Sequence, residues 1–111
     1  MEEMQIAAFQ MISVIGQAKN YYISAVEYAR KGDVKKGREY IKEGDMMIQG
    51  AHKQHFGFIQ KEAAGEILPF SILFMHAEDQ LLSTSTMKEL CEQLLNVYED
   101  LQNLKDQNER K

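Results

Sequence analysis

At 111 residues, 44% apolar and 27% charged, the chain has the composition of one globular domain and is too apolar for disorder. Its net charge of −4 speaks against a nucleic-acid partner, which would need a basic face to neutralise phosphates. Cys91 is the only cysteine, so no internal disulfide is available. With no signal-peptide pattern and no apolar run near about 18 residues, the chain reads as cytoplasmic.

The first segment places Met4, Ala8, Met11, Ile15, Ala18, Tyr22, Ala25 and Ala29 at helical spacing. It meets Lys31-Gly32-Asp33, where Gly32 suits a left-handed C-terminal cap and Asp33 the N-cap of a second helix. So short a link makes the two helices antiparallel. The basic residues around this turn, Arg30, Lys31, Lys35, Lys36 and Arg38, read as a solvated helix end.

The second helix follows Val34, Gly37, Ile41, Gly44, Ile48, Ala51, His55, Phe58 and Glu62, and should end near Gly65. Its glycines at 37, 44, 50 and 57 each cost roughly 1 kcal/mol against alanine, which close helix approach would offset. The link Glu66–Phe70 carries the only proline, Pro69, and Ser71 suits an N-cap. The third helix follows Ile72, Met75, Asp79, Leu82, Thr86, Leu90, Leu94, Val97, Leu101 and Leu104, taken here as its core seam. Residues 105–111 read as a frayed polar tail. The expected fold is all-α, an antiparallel three-helix bundle over residues 1–111, with helices about 45 Å long.

Asp79 breaks the apolar seam of the third helix. A buried carboxylate loses hydration at a cost of several kcal/mol unless paired or metal-bound. Pairing with Lys or Arg, a place at a subunit interface, joint cation binding with symmetry copies, and simple exposure all remain open on periodicity alone. His76 lies three residues earlier on the same helical face. An imidazole is a natural phosphoryl acceptor near neutral pH, with one ring nitrogen free to attack while the other is held. A lone histidine on a helix is nevertheless more often structural.

The run Ser71-Ile72-Leu73-Phe74-Met75-His76-Ala77-Glu78-Asp79-Gln80-Leu81-Leu82 resembles the signature of the lactose/cellobiose/chitobiose IIA family of bacterial sugar phosphotransferase systems. In that family a polar residue and four apolar residues precede His-Ala-Gln-Asp-His-Leu-Met. Ile15-Gly16-Gln17-Ala18-Lys19 is similar to the family's first-helix element, and Lys31-Gly32-Asp33 to its hairpin. Ala51-His52 and Lys61-Glu62-Ala63 resemble its second helix. The resemblance implies a homotrimer of three-helix bundles. It implies that His76 accepts phosphate from the phosphocarrier HPr and passes it to a cysteine of the IIB component. The membrane component IIC then takes up a β-linked disaccharide, such as cellobiose, chitobiose or lactose. It also implies that Asp79 meets its two copies on the trimer axis around a divalent cation, expected to be Mg2+. The chain departs from the pattern at Glu78, where the family usually has Gln, and at Gln80, where it often has His. Glu78 adds negative charge near an incoming phosphate, though on a helix it points roughly 200° from His76.

A histidine phosphotransfer domain of two-component signalling would show Lys and Gly soon after its histidine, where this chain has Ala77, Glu78 and Asp79. A non-catalytic scaffold or regulatory adaptor descended from the same family is the remaining alternative, supported only by Glu78 and Gln80. His52 and His55, spaced i, i+3, lack the HExxH pattern or cysteine pair of a zinc site. Cys91 reads as a small buried apolar residue. Tyr21, Tyr22, Tyr28 and Tyr40 read as helix-edge residues without chemistry.

Overall fold

The computed structural model describes residues 2–110. They form three helices, α1 (Glu3–Arg30), α2 (Val34–Ala63) and α3 (Ile72–Glu109). The sequence punctuation works as expected. Gly32 takes φ 98°, Asp33 accepts a hydrogen bond from the Lys36 backbone N–H, Gly65 takes φ 95° after α2, and the Ser71 hydroxyl accepts from the Phe74 N–H. The polar stretch expected to fray instead continues α3 to Glu109, with Gln102 donating to Asp106 at 3.1 Å. Lys111 lies outside the described residues.

α1 is the central rod. α2 and α3 both pack chiefly on it and only lightly on each other. Every apolar position predicted for α1 is buried, from Met4 to Ala29. Tyr22 is among them, 1% exposed, so it is a core residue and not an edge residue. Its hydroxyl reaches the surface side of the core and donates to Asp45 Oδ1 at 2.7 Å. A buried phenol is stable only with such a partner. Tyr21, Tyr28 and Tyr40 do form a half-buried cluster between α1 and α2.

Two glycines of α2 explain how closely it approaches α1. A Cβ on Gly37 would lie 2.7 Å from the Ala25 carbonyl oxygen, and one on Gly44 would lie 2.5 Å from the Tyr22 ring. Gly50 and Gly57 face open space, so close approach does not account for them.

The third helix requires a correction. Its inward face is Phe74, Ala77, Leu81, Thr84, Cys91 and Leu95. The seam expected from Ile72, Met75, Leu82, Leu90, Leu94, Val97, Leu101 and Leu104 points outward, each of these side chains 44–75% exposed. α3 thus carries two apolar stripes. α3 turns inward the stripe that mixes the small Ala77 and Cys91 with Phe74, Leu81 and Leu95, and leaves the bulkier stripe largely uncovered within the chain. Asp79 sits in that outer stripe and is exposed, so within one chain its carboxylate is not desolvated. No helix among the described residues is long and apolar enough to cross a membrane.

Candidate functional site

His76 is presented by the second turn of α3, between two inward-facing residues, Phe74 and Ala77. Those anchors fix the helix rotation and turn the His76 side chain outward, where it is exposed. It opens onto a depression of ≈ 600 Å³ between α1 and α3. Gln80, one turn later, lines the same depression. The facing wall comes from α1: Ser13, Gly16, Gln17, Lys19 and Asn20.

This wall contains the first-helix element singled out by sequence. Its tertiary placement against His76 could not be read from helical periodicity, because the two segments are separated by nearly the whole α1–α2 hairpin. Gly16 borders open space, and a Cβ there would meet nothing within 4 Å, so no close approach requires a glycine at this position. Lys19 is exposed on the rim and brings a cation to the neighbourhood of the imidazole, while Ser13, Gln17 and Asn20 add hydrogen-bonding groups.

Glu78 does not belong to this depression. It turns to the other flank of α3, where His55 of α2 lies 2.5 Å from its Oε2 through Nε2. His52 is farther up the same flank, 3.4 Å from the Ser85 hydroxyl. The three histidines therefore occupy three separate environments. Among the described residues no group of three or more His, Cys, Asp or Glu side chains converges within one chain. Cys91 is buried on the inner face of α3, and burial pushes its thiol up from the ordinary value.

The second polar cluster of the molecule lies between α2 and α3, around Asp45. Lys88 reaches Asp45 at 3.4 Å and Glu92 at 3.0 Å, so Asp45 joins all three helices through Tyr22 and Lys88.

Residues 6–99 match the family model of the phosphotransferase system lactose/cellobiose specific IIA subunit. The chain belongs to this family. It is 33% identical over 97 residues to the lactose-specific EIIA component of Staphylococcus aureus (strain N315), covering 87% of this chain and 94% of that protein. It is 36% identical over 105 residues to the oligo-beta-mannoside-specific EIIA component of Bacillus subtilis (strain 168), covering 88% and 96%. Among solved structures, the cellobiose-specific enzyme IIA from Bacillus anthracis superposes with a TM-score of 0.87 at 30% identity, covering 93% and 94%. The chitobiose IIA of Escherichia coli, solved in complex with HPr, shares the fold with a TM-score of 0.77 at 24% identity, covering 91% of this chain and 98% of that one. The chain is thus a IIA component of a sugar phosphotransferase system, and the helical bundle expected from its sequence is the fold of that family.

Proposed function

We infer that His76 is the phosphoryl-carrying residue of this IIA component. A ring nitrogen of His76 attacks the phosphorus of phospho-HPr, the donor's P–N bond breaks, and a new P–N bond forms on His76. A thiolate of the IIB component then attacks the same phosphorus and releases the imidazole. Donor and acceptor bring the reacting group, so the carrier's contribution is position and access. The observation that carries this reading is the exposed imidazole at an open depression in a chain of this family. Lys19 on the rim of the same depression supports the passage of an anionic group. The phosphate then drives uptake of a β-linked disaccharide through the membrane component IIC, with this chain on the cytoplasmic side.

The working particle is proposed to be a homotrimer. The outer stripe of α3 supports this: its steps of three and four residues run from Ile72 to Asp79 to Leu82 and again from Leu90 to Leu104, with a shift between Leu82 and Leu90. That is the spacing of a self-associating seam with one skipped residue. Asp79 is the only acid in the seam and makes no ion pair among the described residues. Three copies would place three hard oxygen donors around one point, which suits Mg2+ and would otherwise be strongly repulsive. The ion would neutralise that charge.

Incubation with phospho-HPr tests the central claim. The protein is expected to gain an acid-labile phosphate and a His76→Ala variant to gain none. A protein that never accepts phosphate would be a scaffold, and a His76→Ala variant that still does would move the site elsewhere.

A further inference from the structure

The one added negative charge near His76 is held by a device of its own. Glu78 stands two residues after His76, so its α-carbon is within about 6 Å along the backbone. Its side chain leaves the helix roughly 200° from that of His76, so the rotamer it takes decides how near its carboxylate comes to the His76 face. In the structure Glu78 is held on the α2 flank. Its Oε2 is bound by His55 of α2, whose side chain is 15% exposed. The ring of His55 lies nearly parallel to that of Phe74 at 6.3 Å, and Phe74 is itself seated edge-on against Phe58 at 5.1 Å. A carboxylate oxygen only accepts, so the Nε2 of His55 carries the proton and donates. The donor is thus fixed by packing before Glu78 arrives.

We propose that His55 is a positioning residue for phosphoryl transfer: it holds the Glu78 carboxylate on the α2 flank, away from the face through which His76 meets its phosphorylated partners. Glu62 lines the same flanking depression as Glu78. Without His55, like-charge repulsion from Glu62 drives Glu78 off that flank. The unheld carboxylate then moves from about 12 Å to about 8 Å from a doubly charged phosphoryl group, and with water-like screening the difference slows transfer by about twofold at low salt.

This inference rests on the carrier role of His76, and the test separates the two. Initial rates of phosphorylation by phospho-HPr are compared for the wild type, His55→Phe, Glu78→Gln and the double variant. Phenylalanine keeps the stacking on Phe74 and removes the donor. His55→Phe is expected to slow transfer about twofold at low salt. The double variant is expected to match Glu78→Gln alone, because without the carboxylate there is nothing to hold. A His55→Phe rate equal to wild type overturns the inference, as does a double variant as slow as His55→Phe, which would make His55 a packing residue only. A wild-type protein that takes no phosphate overturns the carrier reading itself. Circular dichroism on each variant keeps loss of fold from passing for loss of transfer, and if His55→Phe does not fold, His55→Leu, which likewise removes the donor, takes its place with the same expected and overturning outcomes.

Discussion

The two faces of α3 differ in a way that hydropathy alone inverts. The inner face reads Phe74, Ala77, Leu81, Thr84, Cys91, Leu95, and it is the buried one. The outer face holds more large aliphatics, yet it is exposed along its whole length. Apolar volume therefore marks a face that wants covering, not the neighbour that covers it. Within the chain, the buried face of α1 sets alanines at 7, 8, 18, 25 and 29 among Met4, Met11, Ile15 and Tyr22, and the alanines leave room for a neighbouring helix at close range. The bulky stripe requires a different, wider seam. The proposed function rests on the same split, because His76 and Asp79 stand on the outer side while Phe74, Ala77 and Leu81 anchor the helix from the inner side.

The largest effect that would test this contrast comes from truncating one leucine on each face. Leu81 is fully buried, and Leu81→Ala is expected to cost about 3 kcal/mol in urea unfolding at every protein concentration. Leu94 is 44% exposed in the chain, and its contribution is expected to depend on assembly. Leu94→Asp should turn sedimentation toward single chains while the helical circular dichroism persists at high concentration. If Leu94→Asp unfolded the chain at every concentration, or left the assembly untouched, the outer face would not be the seam.

A smaller effect, with opposite signs on one helix, separates close approach from open surface. Gly44→Ala drives a methyl into the Tyr22 ring, which is fixed by its bond to Asp45, and is expected to cost about 2 kcal/mol. Gly50→Ala, six residues on, meets nothing and is expected to stabilise by about 0.5–1 kcal/mol through helix propensity. Thermal unfolding of the two variants side by side reads the difference. Equal shifts would mean that α2 does not approach α1 at Gly44 as described.

Legibility in the sequence followed the range of the interaction. The helix ends at Gly32, Asp33, Gly65 and Ser71 rest on residues within a turn of each other, and all four were readable. The buried face of α1 was readable because Met4, Ala8, Met11, Ile15, Ala18, Tyr22, Ala25 and Ala29 recur in unbroken steps of three and four, although Ile6, Phe9 and Ile23 stay exposed on other faces. α3 has two apolar stripes, and periodicity supplies no rule for choosing between them. His76 stood out only through the motif around it, since spacing alone treats it like any helical histidine. Its wall on α1 and the grip of His55 on Glu78 across 23 residues needed the tertiary fold. Tyr22 was misread as an edge residue although its own helical register placed it among the buried positions, because a phenol is usually seen at a boundary.

That buried phenol gives the smallest and most specific prediction. Burial first, then the hydrogen bond to Asp45 and the nearby negative charge, push the Tyr22 hydroxyl well above its ordinary value of 10.0. The folded state thus keeps a proton that the unfolded chain gives up. Stability from this group is fully present below pH 10 and falls as pH rises beyond it, because the unfolded state then binds fewer protons than the folded one. The slope approaches about 1.4 kcal/mol per pH unit at most. Tyr22→Phe should cost about 1 kcal/mol near neutral pH through the lost bond to Asp45, whose remaining partner Lys88 softens the loss. Above pH 10 the variant should lose stability less steeply than the wild type, so the two urea midpoints converge. Parallel pH profiles would mean that the phenol reaches water in the folded protein, and the seating of Tyr22 against Gly44 would have to be abandoned with it.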